Sequence, residues 1–359
     1  MTIGSRILVS AVVVGLISCA AGEPTSTATE SRLGPPDATL GQLGYFGTIA
    51  ELPDGRVVIT QVEVPAVLVA NLDDGTVDTL GRSGDGPGEY RFPSIPLARH
   101  GRPGAMDIMQ HRITVWNPDG SLDSTISIID IGSFELRMDS LGYLYAEQPS
   151  SAGFIMTGQE IDSTSPKDST WIYRMHPPDM GRDTVARLHE IGWEVLHYKD
   201  GVRRARQLYA SPDQWGVLPN GTIWILRGEQ NRVDRRSPDG KWAVGQSRPW
   251  TPIRATEEDK QYFADSWMKA EDSVPKPMAE TKGPFQDGAV AAPDGEVWAQ
   301  LNTVAGDSVT RYEVLPVTGP SAQTVILPKD WKIVAVTERH VYAVHEDEDG
   351  FRVLERMGR

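Results

Sequence analysis

Leu218-Pro219-Asn220-Gly221-Thr222-Ile223-Trp224-Ile225 reads as an apolar residue, a tight turn and the start of a strand, and the same phrase recurs along the chain. It returns as Leu52-Pro53-Asp54-Gly55-Arg56-Val57-Val58-Ile59, as Asp139-Ser140-Leu141-Gly142-Tyr143-Leu144-Tyr145 and as Ala292-Pro293-Asp294-Gly295-Glu296-Val297-Trp298. Degenerate copies run from Arg102 to Ile108 and from Thr337 to Ala343. Proline and aspartate start such turns and glycine supplies a positive φ, so the repetition has a backbone mechanism. A second turn follows each strand pair: His111 to Gly120 lies over Asn231 to Gly240 almost residue for residue, both ending in Pro-Asp-Gly. Gly75 and Gly120 close successive copies 45 residues apart, the length of a four-stranded propeller blade. Six such units fit the chain. The expected fold is all-β, a six-bladed β-propeller of four-stranded antiparallel blades with a short helical insertion between blades 4 and 5.

Composition agrees with that reading. The 35 Gly and 26 Pro are far more turn chemistry than a helical protein tolerates, and 10 Trp supply large core volumes. The formal charge of −14 argues against nucleic acid as a partner, because phosphate contacts need a basic surface.

The interblade stretch Gly81-Arg82-Ser83-Gly84-Asp85-Gly86-Pro87-Gly88-Glu89-Tyr90-Arg91-Phe92-Pro93, with the Arg-Ile/Val…Pro-Asp-Gly hairpins, resembles NHL-repeat propellers, in particular bacterial six-bladed propeller lipoproteins. The resemblance covers nearly the whole chain after its leader. It implies a platform that binds other molecules, and enzymes resembling these propellers exist, so it leaves activity open.

The N-terminus assigns a location. Arg6, the apolar run Ile7 to Ile17 and small residues beyond it form a secretory signal over residues 1–18, too short to span a bilayer as a mature helix. Leu16-Ile17-Ser18-Cys19 resembles the bacterial lipobox, and Cys19 is the chain's one cysteine. The expectation is therefore a lipidated Cys19 with a polar tether to residue 36, a propeller over residues 37–359, and a place on the extracytoplasmic side of a bacterial membrane, held through the lipid alone. Residues from about Thr39 to Phe46 are expected to complete the last blade, which otherwise lacks a strand.

Function is sought in the connections. In a four-stranded antiparallel blade the first-to-second and third-to-fourth turns share one face of the disc, and the second-to-third and interblade connections share the other. The Pro-Asp-Gly turns are all of the first kind. The long insertions, 82–96, 147–170, 189–213 and 248–286, are all of the second, and binding residues concentrate on loops carried by a rigid scaffold. The insertion at about 249–286 carries a helix N-capped by Thr256 and bearing Trp267. It reads either as a plug over the channel or as part of a binding surface. Arg203, Arg204 and Arg206 form a basic knot in an acidic chain, read as a solvated hairpin or as a contact for carboxylates. Arg82, Glu89 and Tyr90 on the neighbouring interblade loop complete the candidate ligand-binding set.

Other chemistry lacks its pattern. Gly84, Gly86 and Gly88 are followed by no Gly-Lys-Ser/Thr, the seven histidines show no metal-ligand spacing, and Glu346 to Gly350 misses the distal glutamate of a calcium loop. No catalytic residue and no cofactor is therefore assigned. The preferred function is a lipid-anchored, monomeric binding or scaffold module for an envelope protein, peptide or glycan. The alternative is a lactonase- or lyase-like propeller enzyme with a metal in the central channel, held by one inner-strand ligand per blade.

Overall fold

A computed structural model describes residues 29–128, 136–147, 169–177, 179–189, 193–198, 201–259, 261, 278–319 and 323–359. Cys19 and Trp267 lie outside these residues, as do the side chains of Arg203, Arg204 and Arg206. Six sheets of antiparallel strands follow one another along the chain. Blade 1 comprises Ala50–Glu51, Val57–Gln61, Ala66–Asn71 and Thr76–Leu80, and blade 2 Pro93–Arg99, Arg102–Asp107, Arg112–Trp116 and Leu122–Ser127. Blade 3 comprises Leu136–Met138, Leu144–Glu147, Ser169–His176 and Gly181–His189, and blade 4 Gln214–Val217, Ile223–Arg227, Arg232–Arg236 and Trp242–Ala243. Blade 5 holds Val290–Ala291, Val297–Gln300, Val309–Leu315 and Gln323–Pro328, and blade 6 Lys332–Val336, His340–Glu346, Arg352–Gly358 and Ala38–Leu43.

The repeated phrases form these hairpins. In Leu52 to Gly55, Leu218 to Gly221 and Ala292 to Gly295 the glycine N–H donates 2.9 Å back to the carbonyl of the first residue. The same bond closes Asn117 to Gly120 and Ser237 to Gly240. The glycine of each sits at a φ between +81° and +96°, a region a side chain would strain. Aspartate or asparagine before it accepts the N–H two residues on, as in Asp54 to Arg56 and Asn220 to Thr222. His111 and Asn231 match in conformation as well as in sequence, with φ of 49° and 47° at the second-to-third turn. The sixth unit replaces the motif by a tighter turn in which Thr337 N–H donates to His340 O.

Second strands read as continuous apolar runs because both of their faces are covered. Val57 and Ile59 join a core cluster with Tyr342, Val344 and Leu354 of blade 6, while Val58 between them joins Ala105 and Trp116 of blade 2. Ile223 and Ile225 face blade 3, and Trp224 and Leu226 face blade 5. One cluster fills each of the six seams between adjacent blades.

The ring closes with the N-terminal strand. Ala38–Leu43 pairs antiparallel with Arg352–Gly358, registering Ala38 on Arg356 and Leu43 on Arg352, and so supplies the fourth strand of blade 6. Leu43 and Phe46 then drop into the seam between blades 6 and 1. Residues 29–32, which composition assigns to the tether, add a fifth strand to blade 5: Thr29–Arg32 pairs parallel with Gln323–Pro328. A closed ring leaves no free inner seam for water to enter, so its last-inserted side chains carry its stability. Phe46→Ala, at a residue 1% exposed, is expected to lower unfolding free energy by about 3–5 kcal/mol. Denaturant unfolding checks this; a loss below about 1 kcal/mol would show that the segment does not close the ring.

Candidate functional site

Strand order places the loops. First strands run toward the Pro-Asp-Gly turns, so those turns crowd one end of the blades, the turn face, and the longer connections meet at the other, the loop face. Glycines on the turn face pack against the neighbouring turn: a Cβ on Gly101 would lie 3.2 Å from Pro53, one on Gly142 3.3 Å from His100, and one on Gly221 3.2 Å from Asp139. Successive turns thus form a collar with little space between them. Exposed large apolar side chains distribute unequally: Tyr45, Val64, Phe92, Met109, Val304 and Phe351 belong to loop-face connections, and Leu141 and Val317 to turn-face ones.

The interblade loop between blades 1 and 2 is a knot tied to itself. Gly84 N–H donates to Tyr90 O and Glu89 N–H to Gly86 O. The Glu89 carboxylate accepts from Gly86 N–H at 2.8 Å and from the Arg82 guanidinium at 2.9 Å, and these two donors hold its carboxyl below the usual range. Arg112 reaches from blade 2 to the carbonyls of Gly86 and Glu89. Tyr90 is fully buried, its hydroxyl taking the Trp116 Nε1–H at 2.8 Å, and burial pushes its phenol up to about 12. Of the three candidates on this loop, Arg82 is the most exposed, at 81% of its side chain, and Glu89 is partly exposed at 22%. Tyr90 is placed inside the seam between blades 1 and 2, where a ligand on the loop face does not reach it. The aromatic residue was legible in the sequence, but its direction follows from the glycine turns that fold the loop back on Trp116. Asp107 completes the anchoring, accepting the N–H groups of Arg91, Phe92, Met109 and Gln110.

The insertion between blades 4 and 5 is rooted by a buried ion pair. Thr256 begins the helix as expected: Asp259 N–H donates to its hydroxyl, and Asp259 in turn accepts from the Thr256 N–H at 2.8 Å, a reciprocal cap. The other Asp259 oxygen takes Lys282 Nζ at 2.5 Å, with both side chains 3% exposed. Lys282 also donates to Thr303 O and lies 4.6 Å from the Tyr209 ring centroid. One ammonium thus joins the insertion, the approach to blade 4 and the blade 5 loop. Ile253–Arg254 pairs with Thr281–Lys282 beneath it, and Ser211 bridges to Phe285 by donating to its carbonyl and accepting its N–H.

A second charged rivet lies between blades 3 and 4. Arg227 donates to Asp213 at 2.5 Å, to Asp234 at 3.0 Å and to Arg187 O, and Arg232 adds a bond to Asp234. Burial alone would raise Asp234, but hydrogen bonds from Arg232 and Arg227 hold its carboxyl below the usual range. Above this rivet, Trp193–Tyr198 and Gly201–Arg206 form a separate antiparallel hairpin, registering Arg206 on Trp193 and Arg203 on Leu196. The basic knot is therefore the return strand of a hairpin on the loop face.

Sequence reading missed both rivets. Asp259 and Lys282 stand 23 residues apart with no pattern joining them; the one legible signal was Thr256-x-x-Asp259, a capping box. Among the described residues no three His, Cys, Asp or Glu side chains gather as metal ligands, and Asp107, Asp213, Asp234 and Asp259 are each held by the contacts above.

No protein-family model matches the chain, and no curated protein matches it. Solved structures do. A Bacteroides fragilis protein described as exported superposes with a TM-score of 0.50 at 10% identity, covering 92% of this chain and 99% of its own. Virginiamycin B lyase from Staphylococcus aureus gives 0.44 at 10% identity over 89% and 98%, and the calcium-binding protein regucalcin from Agrobacterium tumefaciens 0.43 at 13% over 92% and 97%. At these identities the likeness is one of fold: a propeller whose six blades close as described.

Two outcomes separate structural from ligand-contacting roles here. Lys282→Met strands a buried carboxylate and is expected to lower stability by about 3–5 kcal/mol, whereas Lys282→Met with Asp259→Leu recovers most of that loss. Equal losses in the single and double variants, measured by denaturant unfolding, would show that the pair does not root the insertion. Tyr90→Phe leaves the Trp116 N–H unpaired and should lower unfolding free energy by about 1–3 kcal/mol; an unchanged midpoint would remove the hydroxyl from the packing of this seam.

Proposed function

We propose that this chain is a lipid-anchored, extracytoplasmic propeller that binds a protein, peptide or glycan on its loop face. One observation carries the reading: every long connection emerges on that face while the opposite one is a collar of tight turns. The rivets at Asp259–Lys282 and Arg227–Asp213 support it, because they give the loops fixed roots, and preorganised surfaces bind with less ordering penalty. Exposed Tyr45, Phe92 and Phe351 on the same face offer the aromatic area that recognition surfaces favour. The lipobox at Cys19 supports an extracytoplasmic position, and the export ascribed to the Bacteroides protein of like fold accords with it.

Trp267, Arg82 and the Arg203, Arg204, Arg206 hairpin are the ligand contacts in this reading. Tyr90 and Glu89 hold the Arg82 loop in shape. Three near-adjacent arginines on an acidic protein select a ligand carrying carboxylates, and binding then weakens as salt rises.

A screen of envelope peptides and acidic glycans against the purified protein supplies the ligand. Trp267→Ala and the triple Arg203, Arg204, Arg206→Ala variant are each expected to weaken its Kd at least about tenfold, the ~1.4 kcal/mol that a single well-packed contact provides, with melting unchanged. Leu141→Ala on the turn face serves as the control. Parental affinity in both loop-face variants would move the site elsewhere.

A further inference from the structure

The fifth strand of blade 5, Thr29–Arg32, fixes where the tether leaves the disc. Thr29–Arg32 runs parallel to Gln323–Pro328, with Thr29 opposite Gln323 and Arg32 opposite Ile326. Gln323 is the first residue of its strand, entered from the third-to-fourth turn, so it stands at the turn-face end; Pro328, the last, stands at the loop-face end. Thr29 is therefore at the turn face, and the chain preceding it departs from that side. The register is held by more than backbone bonds: Gln323 Nε2 donates to Ser31 Oγ at 2.5 Å, and Glu30 lies 3.9 Å from Arg311 of the next strand.

Residues 20–28, nine in all, separate Cys19 from this strand. Ten steps from Cys19 to Thr29 span at most about 35 Å. Turning the loop face toward the membrane would carry the tether back past the whole fourth strand of blade 5, six residues or roughly 20 Å, and past the loops beyond it. That path uses more than half of the roughly 35 Å that ten steps can span, before the loops themselves are cleared.

We infer that the lipid holds the turn face toward the membrane and that the loop face points away from it, toward partners in the surrounding compartment. This rests on lipidation at Cys19. Surface charge does not set the orientation. On the turn face the exposed Asp54, Asp73 and Asp239 are each paired with a cation, Arg56, Arg356 and Lys241, so these charges neither draw nor repel anionic headgroups strongly. The collar of close-packed turns suits that position, because nothing long projects toward the headgroups.

The test uses the full-length lipoprotein in vesicles. With its thiol consumed by lipid, Cys19 is silent, and a single introduced cysteine takes a fluorophore. Val317→Cys and Val304→Cys sit at opposite ends of the same blade and are 47% and 59% exposed as valines. Energy transfer to a lipid carrying a rhodamine headgroup is expected to be higher from position 317 than from 304. The difference should vanish when about 30 Gly and Ser residues are inserted after Ala28. Equal or reversed transfer in the unextended protein overturns the orientation. Protein that fails to remain with the vesicles overturns the lipid anchor itself and the orientation with it, so the two failures are told apart by flotation before any fluorescence is read.

Discussion

Every blade of this molecule is apolar on both faces, and that constraint organises the rest. A sheet covered on one side only would leave residues such as Val58 or Ile59 in water, at roughly 1.5–3 kcal/mol for each such side chain. The solution is a ring, in which each sheet lends alternate residues to the seam before it and the seam after it. A ring has no terminal blade to cap, but it does have a place where the chain must meet itself. Here the meeting is made within blade 6, where the N-terminal strand joins three strands from the C-terminus. Closure by pairing across the two ends makes stability a property of the whole disc, since opening any seam exposes two apolar faces at once.

Once the seams are fixed, the two faces of the disc face different demands. A turn between the first two or the last two strands of one blade needs few residues, and the Pro-Asp-Gly type supplies them with a satisfied backbone. An interblade connection must return from the outermost strand to the innermost strand of the next sheet, so length is tolerated there. Long connections bring a difficulty of their own, because their backbone groups and their entropy must be compensated. The chain answers with buried charge. Asp107 gathers four N–H groups at the base of one loop, Asp213 and Asp234 share Arg227 at another, and Asp259 with Lys282 closes the third. These groups sit at loop roots, and they convert extended connections into surfaces with defined positions.

How much of this was legible follows from what each feature depends on. The hairpins are local: glycine at a positive φ and an aspartate three residues before the next strand are readable wherever they occur. The closing strand was legible by subtraction, since blade 6 lacked an outer strand and Thr39 to Phe46 was the first apolar segment available. Thr29–Arg32 was not legible, because Thr-Glu-Ser-Arg has no apolar alternation and pairs through backbone bonds that any sequence could make. Tyr90 was named as a ligand contact from its place in the glycine-rich loop, and its side chain lies buried in the seam between blades 1 and 2. Its burial depends on Trp116, 26 residues away, and on glycines whose direction of turn a spacing does not reveal.

The division between roots and tips bears on which substitutions the loop face can accept. Substitutions at Lys282 or Arg227 act on the scaffold, because each of these cations satisfies buried carboxylates and carbonyls at once. Substitutions at Arg82 or Phe92 act on a surface whose shape is already held by Glu89, Gly86 and Asp107 beneath it. Exposed tips above fixed roots can vary without unfolding what carries them. The exposed chemistry of such a surface is specified by a few side chains and not by the repeat. The repeat therefore explains the disc completely while leaving the chemistry of its loop face to residues that follow no period.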